Sequence, residues 1–180
     1  KAVSIEIDAS SRIGPYRLIW AYFGSDEPNY TYMKNGQKLV SELTRLSPVP
    51  VYFRTHNLLT TGDGKPALKW GSTNALTEDA NGKAVYDWTI VDQIIDTYVK
   101  NGGRPLVEIG FMPKAFSAKP EPYQHHWKPG ENMNQMYIGW AFPPRDYAKW
   151  AELVRQWVIH SVERYGKEEV LKWYWELWNE

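Results

Sequence analysis

The last two residues of the sequence, Asn179 and Glu180, place an amide and a carboxylate directly after an apolar, tryptophan-rich segment. A carboxylic acid at the open end of a strand can protonate the leaving oxygen of a glycosidic bond. Retaining hydrolases add a second carboxylate roughly 5 Å away as the nucleophile. Asn-Glu pairs also occur in ordinary surface turns, but the preceding buried segment favours a site. We therefore take Glu180 as a candidate catalytic residue and Asn179 as a candidate ligand for a sugar hydroxyl.

Other polar residues fall at positions that share one face of predicted strands, because side chains two residues apart lie on the same side. Arg54 and His56 share a face, Glu108 is flanked by apolar neighbours, and Glu176 has the same parity as Glu180. Inward charges are costly unless they are paired, and Arg54 beside Glu108 or Glu176 would supply such a pair. We predict structural ion pairs for Glu108 and Glu176, and substrate contacts for Arg54 and His56, which lie near a strand end.

Aromatic residues are abundant, with ten Trp and twelve Tyr. Most are expected to pack in the core, but sugar-binding clefts also use aromatic faces. Trp127 is a candidate wall of a sugar subsite, with loop packing as the alternative. His125 and His126 could suggest a metal ligand pair, yet adjacent side chains do not usually converge on one ion. We predict neither a metal site nor a cofactor.

The hydrophobic periodicity alternates short apolar runs with longer helical patterns, which predicts an α/β fold with a parallel sheet. Strands are expected at residues 16–23, 49–56, 105–111 and 171–178. Helices are expected at 34–46, between the N-cap Asp87 and the stop at Asn101, and at 144–165. The buried face of the first helix is predicted to contain Leu39, Val40, Leu43 and Leu46. That of the third helix is predicted to begin at Tyr147.

Such a series of βα units forms either half of a (β/α)8 barrel or a small doubly wound sheet. The long segments 57–86 and 112–143 both follow strands, at the ends where barrel enzymes build active sites. The first should contain a hairpin, because Asn81-Gly82 is a turn signal. A Gly-rich phosphate turn is missing from the sequence. We therefore predict the first four βα units of a (β/α)8 TIM barrel, truncated after strand 4.

Residues 2–8 alternate strictly between apolar and polar positions and are followed by turn residues. We predict that residues 1–14 form an N-terminal strand of an accessory β-sandwich and that residues 15–180 form the N-terminal half of the catalytic barrel. A complete barrel typically has about 250 residues. We therefore expect the remaining half of the barrel elsewhere, and we expect the 180-residue fragment alone to be inactive.

Charge and cysteine content limit the partners. Lys plus Arg and Asp plus Glu both number 21, so no net field attracts nucleic acid or an anionic membrane, and neither partner is predicted. With no cysteine, the sequence has no disulfide, thiol nucleophile or thiolate metal site. Composition leaves the compartment open, and we expect a secreted or periplasmic location slightly ahead of a cytoplasmic one.

Three long motifs occur in one order: RPLVEIGFMPKAF at 104–116, PPRDYAKWAELVRQWVIHSVERYG at 143–166, and EEVLKWYWELWNE at 168–180. Together with RTHNLL at 54–59 and VYDWTIVDQIID at 85–96, they resemble glycoside hydrolase family 39. That family includes β-xylosidases and α-L-iduronidases, and the GFMP stretch is nearer the xylosidase branch. The likeness covers most of the chain from about residue 16.

The resemblance implies a retaining hydrolase on a (β/α)8 barrel. It assigns Glu180 as the acid/base, Asn179 as a contact to the sugar, and His56 as a wall of the same subsite. The family nucleophile is a Glu at the end of strand seven, beyond this sequence, and an early strand joins a β-sandwich. The expected function is an exo-acting β-xylosidase acting on xylo-oligosaccharides. The alternatives are a non-catalytic carbohydrate-binding or assembly module, or hydrolysis of an α-L-iduronide, β-glucoside or arabinoside.

Overall fold

Four short parallel strands form the central sheet of the computed structural model, which describes residues 2–68, 71–121, 124–125, 136–137 and 140–179. They are β1 (Tyr22–Ser25), β2 (Tyr52–Thr55), β3 (Arg104–Glu108) and β4 (Tyr174–Glu176). Each strand pairs in parallel with the next along the chain. A doubly wound sheet reverses its strand order at a switch point, whereas a barrel adds strands in one direction. The sheet therefore has the order of the first four strands of a (β/α)8 barrel, as predicted.

Three helices connect the successive strands: α1 (Lys34–Leu46), α2 (Thr89–Lys100) and α3 (Tyr147–Tyr165). Short helical turns at Pro28–Tyr30, Lys114–Phe116 and Lys167–Val170 complete the connections. The core lies between these helices and one face of the sheet, where Phe53 stacks on Tyr98 with ring centroids 4.8 Å apart. Its other buried members include Val51, Val107, Ile94, Ile95, Leu153, Trp157 and Trp173. One face of each strand is thus apolar, and the opposite face is left for polar side chains.

The first strand begins at Tyr22 and ends at Ser25, so the predicted range of 16–23 was wrong by six residues at its start and two at its end. Parallel pairing sets this limit, because β2 begins at Tyr52, directly opposite Tyr22. The other three strands overlap the predicted ranges but are shorter, and β3 begins one residue earlier than predicted. Backbone hydrogen bonds nevertheless continue past the end of β3, where Ile109 N–H donates to the carbonyl of Glu176 over 2.9 Å. The strand ends near the predicted site are therefore held together beyond the regular sheet.

Residues 2–14 form no paired strand, and their side chains are exposed. Val3, Ile5 and Ile7 are each more than 80% exposed on the alternating positions of this segment. A strand is defined by its hydrogen-bonded neighbour, and this segment has none among the described residues. Its assignment to a β-sandwich stays a prediction.

Helix α1 has the predicted bounds, but its buried face is narrower than predicted. Val40 is buried and Leu43 is partly buried, whereas Leu39 and Leu46 are 52% and 76% exposed. The prediction for Leu39 and Leu46 was wrong, because the helix contacts the core only along the Val40 side. Gly36 is required by packing, since a Cβ there would lie 2.1 Å from the Tyr30 carbonyl oxygen.

Helix α3 begins at Tyr147, three residues later than predicted. Asp146 Oδ1 accepts hydrogen bonds from the backbone N–H groups of Ala148 and Lys149, which makes Asp146 the N-cap. Tyr147 is 66% exposed, so its predicted place in the core was wrong. A residue in the first turn precedes the contact with the sheet, and full burial is first reached at Leu153. In the described residues we find no helix with the length and apolarity needed to cross a lipid bilayer.

The long segment between β2 and α2 contains the predicted hairpin. Strands Leu76–Glu78 and Ala84–Tyr86 pair in antiparallel fashion. Asp79 Oδ1 accepts hydrogen bonds from the backbone of the turn, and Gly82 takes the left-handed conformation with φ of 73°. A second short hairpin pairs residues 124–125 with 136–137 in the segment after β3. Both excursions leave from the carboxyl ends of parallel strands.

Candidate active site

Polar side chains gather on the sheet face opposite the helices, near the carboxyl ends of the strands. Arg54 lies on β2, and His56 is the first residue after that strand. Glu108 is the last residue of β3, and Glu176 is the last residue of β4. Glu108 and Glu176 are paired in the sheet register. The alternation that predicted a common polar face is therefore observed. Asn179 joins these residues three positions after the end of β4.

Arg54 is the centre of this group. Its Nε donates to Glu176 Oε2 over 2.6 Å, and its Nη2 donates to Glu176 Oε1 over 2.9 Å, which is a bidentate pair. The same Nη2 lies 2.8 Å from Glu108 Oε2 and donates to Asn179 Oδ1 over 2.9 Å. One guanidinium thus connects β2 with β3, β4 and the residue before Glu180. Arg54 is 27% exposed, so this charge is partly shielded from water.

Glu108 is completely buried and receives its hydrogen bonds from the end of β2. Oε2 lies 2.9 Å from His56 Nδ1, and Oε1 accepts from the backbone N–H of Asn57 over 3.1 Å. With Arg54 nearby, both oxygens of the carboxylate have hydrogen-bonding or charged partners, which a buried charge requires. The sequence prediction of an ion pair for Glu108 agrees with this geometry.

Asn57 is a site residue that the sequence reasoning missed. It is buried and takes a left-handed conformation with φ of 50°, which asparagine tolerates better than most residues. Its Oδ1 accepts from the backbone N–H of Phe111 over 3.1 Å, and its own N–H donates to Glu108. Asn57 therefore ties the ends of β2 and β3 together. An asparagine directly after the predicted strand 49–56, which ends in Arg-Thr-His, was the available signal.

The electrostatics of this group indicate that Glu176 does not act as a proton donor. The hydrogen bond from Arg54, opposed in part by burial, holds the pKa of Glu176 below its ordinary value. The same hydrogen bond raises the pKa of Arg54. Because Glu176 therefore stays ionised near neutral pH, it is unsuited to general acid catalysis. The prediction that Glu176 forms a structural ion pair agrees with this.

The hydrogen bond from Arg54 orients the Asn179 amide. Its oxygen accepts from Arg54, so its NH2 group is the part of the side chain that can donate to another molecule. Asn179 is neither fully buried nor fully exposed. The arrangement thus presents an oriented amide donor at the strand ends, beside a fixed histidine and a carboxylate network.

Two predicted site residues, Glu180 and Trp127, lie outside the described residues, and so does His126. For His125 only the backbone is described. Their roles stay predictions. Within the described part of the chain, no group of three or more His, Asp or Glu side chains could hold a metal ion.

The comparison with family models gives a match over residues 3–180 to the model described as Glycosyl hydrolases family 39. The chain belongs to glycosyl hydrolases family 39. The resemblance inferred from the sequence motifs is therefore confirmed. The match reaches Glu180, and the network described above lies within it.

Individual relatives agree with the family 39 assignment. The chain is 40% identical over 102 residues to a β-xylosidase of Geobacillus stearothermophilus and 32% identical over 100 residues to one of Caldicellulosiruptor saccharolyticus. These alignments cover 57% and 56% of this chain. It also superposes on the crystal structure of the family 39 enzyme from Xanthomonas axonopodis pv. citri with a TM-score of 0.67 and 30% identity, covering 88% of this chain.

The family 39 relatives are much longer than the matched region. The alignments cover 18% of each of the two curated β-xylosidases and 27% of the Xanthomonas chain. The fold of the four βα units is therefore shared with these proteins over a part of their length. Activity and substrate are properties of the whole protein, and we treat them as proposals.

Proposed function

We propose that this family 39 chain is part of a retaining glycoside hydrolase, and specifically of an exo-acting β-xylosidase. The observation that carries the proposal is the convergence of Arg54, His56 and Asn179 at the carboxyl ends of adjacent parallel strands, directly before Glu180. In barrel enzymes this end of the sheet is where active sites are built. The curated relatives at 40% and 32% identity are both β-xylosidases, which favours xylose among the sugars that the family accepts.

In this proposal Glu180 is the general acid/base. It protonates the glycosidic oxygen as the bond to the sugar breaks, and it later removes a proton from the water that attacks the glycosyl-enzyme. The Asn179 NH2 group donates to a sugar hydroxyl, while His56, and Trp127 from its loop, line the subsite. The nucleophile is the Glu that the family resemblance places at the end of strand seven.

The ion pairs narrow the choice of the carboxylate that could act as the general acid/base. Glu176 is engaged by both ends of the Arg54 guanidinium, and its pKa is lowered. Glu108 is fully buried and accepts from the Asn57 backbone. Glu176 does not hold a proton near neutral pH, and Glu108 has no exposed surface from which it could reach a glycosidic oxygen. This supports Glu180 as the acid/base.

The test is the leaving-group dependence of a Glu180→Gln variant of the full-length protein. Removal of the acid should slow xylosides with poor leaving groups by orders of magnitude more than activated aryl xylosides, because only the former need protonation. Glu168→Gln, which alters an exposed carboxylate in a short helix, is the matched control and should leave both rates unchanged. An equal loss on both classes of xyloside would reject the acid/base role.

Two further measurements separate the competing functions. Proton NMR of the first-formed xylose should show the β-anomer, since double displacement retains configuration. Calorimetric titration with xylo-oligosaccharides addresses the alternative of a carbohydrate-binding or assembly module. Binding without any turnover by the full-length protein would favour that module. A secreted or periplasmic location is part of the proposal and rests on the sequence alone.

A further inference from the structure

Glu108 acts on the end of β2 with both of its carboxylate oxygens. Oε2 is paired with His56 Nδ1 at 2.9 Å, and Oε1 accepts from the backbone of Asn57, the residue that follows His56. One oxygen therefore contacts the imidazole ring and the other contacts the main chain that carries it. Glu108 has no exposed surface and cannot itself contact a substrate in this arrangement.

The neighbours of Nδ1 determine where the proton lies on the ring of His56. A carboxylate oxygen can only accept a hydrogen bond, whereas a guanidinium nitrogen can only donate one. Nδ1 lies 2.9 Å from Glu108 Oε2 but 3.4 Å from Arg54 Nη1. The shorter contact, to an acceptor, requires a proton on Nδ1. In the neutral ring this leaves the lone pair on Nε2.

A purely structural role would not require a charged residue here. Completely buried ion pairs are often replaced by apolar residues of similar volume without loss of stability, because desolvation offsets the attraction. The β2 end instead carries three polar groups directed at one carboxylate, namely the His56 ring, the Asn57 N–H and the Arg54 guanidinium. Such a carboxylate determines the orientation and tautomer of a histidine, as orienting carboxylates do in other sites.

We propose that Glu108 is a positioning residue that holds His56 with its proton on Nδ1 and its ring fixed at the sugar subsite. The effect on catalysis rests on the proposed function, whereas the tautomer assignment does not. Glu108 acts through His56 and through the Asn57 backbone. The lone pair on Nε2 and the orientation of the ring are the properties that it supplies to the site.

The first test is the nitrogen NMR spectrum of the full-length protein labelled in its histidine rings, with the His56 signals assigned by their loss in His56→Asn. In the unsubstituted protein near neutral pH, Nδ1 of His56 should resonate in the protonated range. An unprotonated Nδ1 would overturn the proposal, because Arg54 would then be the donor. This measurement does not depend on whether any Glu108 variant folds.

The second test is Glu108→Gln, in which one oxygen becomes an NH2 group of the same size. No orientation of that amide accepts from both His56 and Asn57. Either the Nδ1 signal should therefore shift towards the unprotonated range, or the Asn57 N–H should lose its acceptor and the backbone that carries the ring should shift. We expect kcat on xylosides to fall on the order of 100-fold, with a smaller change in KM, as for a misplaced site group. Unchanged His56 signals and unchanged kinetics would contradict the proposal.

Asp92→Asn is the matched control, because Asp92 Oδ1 forms a second His–carboxylate contact within the described residues, at 2.7 Å from His160 Nε2. It should change the signals of His160 and leave those of His56, kcat and KM as they were. If the unsubstituted protein hydrolyses no xyloside, the proposed function fails, and the NMR spectra alone then decide the tautomer assignment.

Discussion

Two charged networks in the described part of this protein are each built around one arginine, one histidine and two carboxylates. The inner network lies on the polar face of the sheet and the outer network joins helices α2 and α3. The inner network consists of Arg54, His56, Glu108 and Glu176, and the outer network of Arg164, His160, Asp92 and Asp96. Composition alone therefore does not distinguish a site from a structural contact.

The outer network follows helical spacing. Asp92 and Asp96 lie one turn apart on α2, and His160 and Arg164 lie one turn apart on α3. Arg164 Nε and Nη2 donate to the two oxygens of Asp96 over 3.0 and 2.9 Å, and His160 Nε2 lies 2.7 Å from Asp92 Oδ1. The His160 ring also stacks on Trp88. These contacts connect two helix sides and, among the described residues, involve no strand of the central sheet.

The difference lies in what each network leaves available. Burial raises the pKa of Asp96, but hydrogen bonds from Arg164, Lys100 and Tyr165 outweigh it and bring that pKa well below its ordinary value. The carboxylate oxygens of Asp96 are therefore occupied by hydrogen bonds within and between the helices. The inner network instead ends in the Asn179 amide, which keeps its donors, at the edge where parallel strands present their carboxyl ends. Position in the fold, rather than charge content, supports the functional assignment.

The largest contrast is expected from removing each arginine in turn. Arg54→Met leaves the fully buried Glu108 without its guanidinium, which should lower the free energy of unfolding by about 3 kcal/mol. It should also remove nearly all xyloside hydrolysis, since Asn179 loses the donor that orients it. Arg164→Met should cost only about 1 kcal/mol, because this arginine is 39% exposed and its ion pairs are screened by water, and kcat and KM should be unchanged. Urea denaturation and steady-state kinetics on both variants check this.

The comparison would break down in either of two ways. Activity retained by a folded Arg54→Met protein would show that the inner network is only structural. A loss of kcat in a folded Arg164→Met protein would show that the outer network contributes to the site.

The next contrast is the acid dependence of stability in Asp96→Asn. Because the folded-state pKa of Asp96 is depressed, its contribution is present above its ordinary pKa of 3.8 and is lost as the pH falls below that value. The variant should be less stable by about 2 kcal/mol near neutral pH. That difference should shrink in acid. Urea denaturation at several pH values measures it, and a difference independent of pH would contradict the assigned pairing.

The smallest expected effect is that of His160→Gln. The amide can still donate to Asp92, but the stacking on Trp88 is lost, so the free energy of unfolding should fall by about 1 kcal/mol. Thermal denaturation of the single variant, which retains Trp88, measures this loss of stability. The kinetics should equal those of the unsubstituted protein. A loss in stability as large as that of Arg54→Met would mean that the outer network stabilises the fold as much as the inner network does.

Much of the fold followed from local patterns. The bounds of α1, the hairpin between β2 and α2, and the common face of Arg54, His56, Glu108 and Glu176 were all predictable. Periodicity reports which residues share a face, since it is a property of each element alone. Strand starts and the exposure of Leu39, Leu46 and Tyr147 were not predictable, because they depend on where the neighbouring element begins.

Which site residues contact one another was harder to predict from the sequence. Arg54 was expected beside Glu108 or Glu176, and the structure shows that it contacts both. The contacts from Asn57 to Glu108 and to Phe111 depend on a left-handed residue that no periodicity signals. The outer network was also missed, although its four members have helical spacing. Spacing shows that two residues lie on one side of a helix, but not which helix that side meets.

The sequence by itself determined the alternation of strands and helices, the polar face of the strands and membership of family 39, because residue alternation and motif order are properties of the linear sequence. Only the tertiary structure decided that one guanidinium joins three strands and that a buried carboxylate holds a histidine. Such contacts depend on the register between strands distant in sequence, and register is set by packing of the whole sheet against its helices.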